Sequence, residues 1–395
     1  MSLEQKLEAL APIPTDLKPL LLPNAAATIQ HLISFPTPSF EQPPAIITGT
    51  QITLSKEPST LFHDRTDLLR LQQLPLLAYS DLQKLAQAAL ESSPDVASFT
   101  YPLEQALSEH VGPHDAWPLW VLVYWLHVYQ VLNAKGHWAL LLAKVAAVGG
   151  DSAVIERLPW NVPLPSDNQA GRGSLGHVMS LLAFGTREWL NSTHMDLLLY
   201  SLEFTINDPD ILVLNTWMFD ILWSLHNIDP TSYPSQAHAA LTTMGTRIRT
   251  AKQILLVVPV CIGDGKAVVG GLGIMSNHWI SAVIDPKLQE VRHYDPMSIR
   301  PPDGLLALIN WWLGMHGEPP YTHDSIPCTL QRDSYSCGLL CVNALAHDAL
   351  PARFPLLDSH GCDQGRIQML EQIIQYLGHL VSHVVTRSFQ RLLSP

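Results

Sequence analysis

Charge is scarce in this chain, and positive charge is scarcest. Only 15 % of its 395 residues are charged, with 23 Lys and Arg against 35 Asp and Glu. The resulting formal charge of −12 argues against a protein built around nucleic-acid backbones, which needs a Lys/Arg excess, and no nucleic-acid partner is expected. Cysteine is sparse as well: Cys261, Cys328, Cys337, Cys341 and Cys362 make an odd number. The opening MSLEQKLEALAPIPTDLKP also lacks a basic stretch followed by an apolar run. Together these predict an intracellular, reducing compartment, nucleus or cytoplasm, where thiols stay free and one of them can be catalytic. Long hydrophobic runs are missing too. The strongest, Trp117 to Leu132, has 16 residues, contains Pro118, His127 and Gln130, and falls short of the roughly 20 that a membrane span needs. A buried helix is expected there, and no membrane contact.

What the chain does have is apolar content, 47 % of residues, enough to bury large cores, and a length that fits two ordinary domains. Residues 1–60 are rich in proline (Pro12, Pro14, Pro19, Pro23, Pro36, Pro38, Pro43, Pro44), which breaks helices repeatedly and predicts an extended lead-in. From Asp67 to Ala147 apolar residues recur at three- and four-residue steps, in DLLRLQQLPLL, DLQKLAQAAL and HWALLLAKVAAV, so residues 61–170 are expected to be mostly α-helical. Pro159, Pro163, Pro165 and the polar SDNQAGRGS mark a linker over about 159–174. Residues 175–395 then form a second domain of mixed texture. MDLLLYSLEF predicts a helix after the capping candidates Asn191, Ser192 and Thr193, and NWWLGMHG and CGLLCVNALAHDAL predict two more. ILLVVPV (254–260), WISAVI (279–284) and VRHY (291–294) are β-branched runs bounded by Pro, Gly or Asp, and predict strands. The fold class expected of this half is α+β.

Chemistry concentrates in the second domain. WISAVI and VRHY flank a turn that begins with Asp285-Pro286, and a hairpin centred between Pro286 and Lys287 sets His278 directly opposite Asp295. A carboxylate in that position can hold one ring nitrogen of the histidine and leave the other as a base. In QRDSYSCGLLCVNAL, Cys337 stands at the start of a helix, where exposed N–H groups and the macrodipole favour a thiolate. Gly338 leaves room for an approaching carbonyl. Gln331, six residues upstream, offers an amide donor to an oxyanion. Each member alone has an ordinary alternative. His278 can be a polar strand end, Asp295 before Pro296 a turn residue, Cys337 a small buried hydrophobe, Gln331 a helix cap, and Trp189 and Trp279 core aromatics. The combination of nucleophile, base, orienter and oxyanion donor is what points to acyl transfer.

At these residues the chain resembles the ubiquitin-like-protein-specific proteases of the Ulp/SENP type, over about residues 180–390. The matches are His278-Trp279, Asp295, Gln331 and Cys337-Gly338 in that order, with EWLNSTHMDLLL similar to the family's Trp-Leu-Asn opening. The resemblance implies a papain-like cysteine peptidase domain preceded by the mostly α-helical region. It implies His278, Asp295, Gln331 and Cys337 as catalytic residues, and Trp189 and Trp279 as the walls of a slot for a Gly-Gly tail. The implied partner is a ubiquitin-like modifier with its conjugates, SUMO foremost, with NEDD8 and ubiquitin as alternatives. Ser192 and Ser336 depart from the family, which often has Asp at both places, and this bears on substrate contacts more than on the triad.

No cofactor or metal is expected. Cys337 and Cys341 with His360 and Cys362 do not have the paired spacing of a zinc cluster. Two other functions share the same residues. An acetyltransferase can use a His/Asp/Cys site with acetyl-coenzyme A, and a non-catalytic protein can keep the fold to bind a ubiquitin-like modifier.

Overall fold

A computed structural model of the protein describes residues 3–38, 53–59, 78–92, 95–100, 116–164, 176–233, 238–263, 266–270, 276–298, 301–325 and 328–393, with a few single positions between them. Contacts along the chain divide it into two units, Met1–Leu140 with Glu156–Trp160, and Leu141–Ile155 with Asn161–Pro395.

In the first unit the proline-rich start is not extended. Helices α1 (Leu3–Leu10), α2 (Lys18–Leu21) and α3 (Ile29–Ser34) form there, with Thr28 capping α3 through the His31 amide. Proline is tolerated in a first helical turn, and α2 places Pro19 there. Strand β1 (Thr53–Ser55), helix α4 (Tyr79–Glu91), and strands β2 (Ser98–Thr100) and β3 (Trp117–Pro118) follow, the strands pairing antiparallel in the order β1-β2-β3. Helix α4 buries Leu82, Leu85, Ala86 and Ala89, a single apolar stripe, and packs on α1. Most of the predicted helix at 67–77 lies outside the described residues, as do the linker positions 165–175. The Trp117 segment is a helix from Trp120, as expected: α5 runs Trp120–Ala147 and buries every side chain from Val121 to Leu126, while Gln130 faces out. Among the described residues no helix is long and apolar enough to cross a membrane.

The second unit is α+β. Its sheet contains β4 (Ile211–Leu214), β5 (Gln253–Gly263), β6 (Lys266–Val269), β7 (His278–Asp285), β8 (Glu290–Tyr294) and β9 (Thr322–Ser325). The order is β4-β5-β7-β8-β9, with β6 also on β5; β4 runs parallel to β5 and β9 parallel to β8, and the other pairs are antiparallel. Pro259 sits on β5 between Leu256, the last partner of β4, and Val260, the first partner of β6. A missing N–H therefore breaks no ladder on that edge.

The helices of this unit are α6 (Ser192–Ile206), α7 (Thr216–Asn227), α8 (Ala239–Gly245), α9 (Leu305–Met315), α10 (Cys337–Ala349) and α11 (Cys362–Leu393). Strand periodicity divides the sheet into two buried faces. Ile254, Leu256, Val258, Ile280, Ala282 and Ile284 join Phe219 and Leu222 of α7 and Ile309 and Trp312 of α9 in one core. Helix α10 packs on β7 and is flanked by α6 and α11. All ten residues from Cys337 to Ala346 are buried, so the helix that begins with the candidate nucleophile is wrapped by protein on every side.

The β7–β8 hairpin differs from its predicted register. Asp285 pairs with Glu290 and Ser281 with Tyr294, so the turn is centred between Lys287 and Leu288, one residue later than expected. Asp285 causes the shift: its Oδ1 accepts from the amides of Lys287 and Leu288, both at 3.0 Å, and Gln289 closes a four-residue loop at φ 55°. Carried one step further, the register sets Asp295 opposite Ile280, and His278 stands diagonal to it. A shift of two residues keeps both side chains on one face, where a shift of one would have separated them.

Candidate active site

Local structure places each candidate. Asn191 caps α6 by accepting from the His194 amide at 3.3 Å, while the His194 ring accepts from the Asn191 amide at 3.1 Å, a reciprocal box. Burial pulls the His194 pKa down to about 4, so the ring stays neutral and able to accept. The helix thus begins at Ser192, earlier than the predicted Met195, and the cap holds Trp189 and Leu190 just ahead of it. Trp279 follows His278 at the start of β7, is 1 % exposed, and donates its indole N–H to the Leu190 carbonyl at 2.7 Å.

The catalytic candidates come together. His278 Nε2 donates to Asp295 Oδ1 at 2.8 Å, and both side chains are buried. The Met297 amide donates to the same oxygen at 2.8 Å, which fixes the carboxylate. Burial of the imidazole works against its charge, but hydrogen bonds to Asp295 and Cys337, together with their charges, outweigh it and raise the His278 pKa to about 9. His278 therefore lies between Asp295 and Cys337 and holds a proton at neutral pH.

Cys337 opens α10. Sequence reasoning missed the residue that shapes this opening. Asp333 accepts from the amides of Tyr335 at 2.9 Å and Ser336 at 2.8 Å, and from the Ser336 hydroxyl at 2.7 Å. Its carboxylate does the capping that Ser336 does not do for itself. An acidic residue three positions before a helix-start serine is a recognisable turn signal. Gln331 is held in the same loop by its amide N–H on the Pro296 carbonyl at 2.8 Å. Its side-chain nitrogen donates to the Asp333 carbonyl at 2.6 Å and to the Asp333 carboxylate at 3.3 Å, and its Oε1 is buried without a partner among the described residues.

The two tryptophans stack, with ring centroids 5.2 Å apart and planes 11° from parallel. No peptide fits between rings in contact, so the expected slot is closed. Trp189 also donates its indole N–H to Cys337 Sγ at 3.2 Å. A Cβ added at Gly338 would lie 2.6 Å from Met195 Sδ and 3.4 Å from a Trp279 ring carbon. The glycine therefore serves close packing beneath the tryptophans rather than leaving room above Cys337.

Three of the other four cysteines are held as thiols. Burial pushes the Cys328 thiol up to about 11, holds Cys341 well above its ordinary range and raises Cys362, so these three stay protonated and inert. Cys341 donates to the Trp279 carbonyl at 3.1 Å, tying α10 to β7. Among the described residues no group of three or more His, Cys, Asp or Glu could hold a metal ion.

No protein-family model and no curated protein matches the chain. Solved structures do. The yeast Ulp1 protease domain, in complex with the SUMO ortholog Smt3, matches at 17 % identity over 59 % of this chain and 95 % of that one, with a TM-score of 0.42. The catalytic domain of a Chaetomium thermophilum Ulp1-like SUMO protease matches at 17 % identity over 48 % and 72 %, with a TM-score of 0.33. The Xanthomonas campestris effector XopD, bound to ubiquitin, matches at 18 % identity over 48 % and 91 %, with a TM-score of 0.31. At low identity, the chain is similar in structure to SUMO proteases of the Ulp type and to a bacterial effector protein.

Proposed function

We propose that the second unit is a cysteine peptidase that cleaves after the carboxy-terminal Gly-Gly of a ubiquitin-like modifier, with SUMO the preferred one on the motif resemblance. The observation that supports this most is the buried line from Asp295 to His278 to Cys337, with a 2.8 Å contact between carboxylate and imidazole and the thiol at a helix start. An imidazolium beside the nucleophile sets up an ion pair. Cys337 Sγ attacks the carbonyl carbon of the terminal glycine, forming a thioester, and His278 gives its proton to the departing amine. Water, deprotonated by His278, then releases the modifier as a carboxylate and restores the thiol. Gln331 donates from Nε2 to the Asp333 carbonyl at 2.6 Å and to its carboxylate at 3.3 Å. The oxyanion role assigned to it requires the longer of these bonds to be exchanged for the substrate oxygen, with an N–H of the first turn of α10 as the second donor.

Entry of the tail requires the tryptophan rings to part. Trp279 is anchored to Leu190, whereas Trp189 is half-buried, so Trp189 is the ring that moves. A slot of two indole faces admits glycine and rejects any residue with a side chain.

The test is adduct formation with carboxy-terminal vinyl sulfones of SUMO, NEDD8 and ubiquitin. A thioether at Cys337 with the SUMO probe, lost in Cys337→Ala, is expected. No adduct with any of the three, with Cys337→Ala indistinguishable from wild type, overturns the reading.

A further inference from the structure

Arg366, on α11, is 1 % exposed, an unusual place for a guanidinium. Among the described residues it makes no ion pair. Its four hydrogen bonds all go to backbone carbonyls: Nη1 donates to Ala183 at 2.9 Å and Thr186 at 2.8 Å, and Nη2 to Glu188 at 2.6 Å and Tyr335 at 3.0 Å. The Tyr335 ring lies beneath the guanidinium at 5.2 Å. Three of the acceptors belong to the segment that ends in Trp189, and the fourth lies two residues before Cys337.

We propose that Arg366 is a positioning residue of the nucleophile site, fastening the segment that carries Trp189 to the one that carries Cys337. Burying a charge without an ion-pair partner is costly. Here carbonyl dipoles from two separate segments take all four Nη hydrogens while Nε is left without a partner among the described residues, so most of the cost is offset only while those segments stay together. The planar fork suits this use. Its donors reach several carbonyls at fixed angles, which a lysine ammonium on a flexible stem cannot reproduce. The consequence at the site is the indole N–H on Cys337 Sγ at 3.2 Å, which places a donor against the sulfur. This inference rests on Cys337 being the nucleophile, but not on which substrate it attacks.

The test uses the full chain and iodoacetamide, a small reagent that needs no modifier, and reads the pH midpoint rather than the rate, because Trp189 covers Cys337 and its replacement changes access. Alkylation at Cys337, followed by peptide mass, is measured against pH in wild type, Arg366→Met, Arg366→Lys, Trp189→Phe and the Arg366→Met/Trp189→Phe double variant, with circular dichroism to confirm folding. Loss of a hydrogen bond to a charged group should raise the midpoint of the alkylation profile by about one pH unit in Trp189→Phe and in Arg366→Met. The double variant should shift no further than Arg366→Met alone, because Arg366 acts through Trp189. Arg366→Lys, which keeps the charge and loses the fork, should recover less than half of the shift. Additive shifts, or a wild-type midpoint in folded Arg366→Met, overturn the proposal. If Arg366→Met does not fold, a wild-type midpoint in Arg366→Lys overturns it equally. A positive result here with no cleavage of any modifier would reject the peptidase reading while leaving the role of Arg366 standing.

Discussion

Trp189 holds its indole N–H on the Cys337 sulfur at 3.2 Å while its ring covers Trp279, so one side chain both touches the nucleophile and closes the path to it. Trp189→Ala removes the movable wall and leaves Trp279 in place. The discrimination between a Gly-Gly tail and a Gly-Ala tail should fall by roughly tenfold or more, since one methyl group is selected against only by a tight fit. The ratio of kcat/KM for two modifier substrates that differ only in that residue measures it. An unchanged ratio would place the narrow point elsewhere.

The His278–Asp295 pair makes stability depend on pH in a defined direction. The folded His278 pKa, about 9, lies above its ordinary 6.5, so the pair's contribution is complete below about 6.5, shrinks from there and is gone above about 9. Urea midpoints of the wild type should fall between pH 7 and pH 10, and His278→Gln should flatten that slope. Turnover should decline over the same upper range as the imidazolium is lost. Asp295→Asn keeps the shape but not the charge, and kcat should drop on the order of 10²–10⁴-fold.

Gly338→Ala drives a methyl group toward Met195 Sδ, 2.6 Å from the built Cβ position. Overpacking of this kind costs about 1–3 kcal/mol, read as a lower denaturation midpoint. Met195→Ala in the same chain should return part of that loss, a non-additive pair. If the double variant is destabilised by the full sum, Gly338 is needed for some other reason.

Much of the second unit was legible because its signals are local. The runs at 254–260, 279–284 and 291–294 are β-branched and bounded by turn residues, and each lies within a strand. Three other strands went unpredicted, although β4, the buried ILVL between Asp210 and Asn215, carries the same signal. β9 is the polar THDS, held by parallel pairing to β8, while β4 and β6 are four-residue pieces on β5. The hairpin register slipped by two residues because side-chain capping by Asp285, invisible in a count of spacings, lengthened the turn. In the first unit, proline content misled: α1 forms ahead of Pro12, α2 takes Pro19 into its first turn, and α3 fits between Pro23 and Pro36, with Leu7 in α1 and Leu32 in α3 buried.

By itself the sequence determined the chemistry available and its order along the chain: a histidine at a strand start, a carboxylate after the next strand, and a thiol at a helix start. Those features depend on residue type and on a few neighbours, and local propensity carries them. Tertiary structure alone decided that Trp189 rests on Cys337, 148 positions away, that the two tryptophans close on each other, and that Arg366 spends its charge on four backbone carbonyls. Backbone carbonyls look the same at every residue, and contacts across such separations are set by how buried surfaces pack, so no pattern in the letters could announce them.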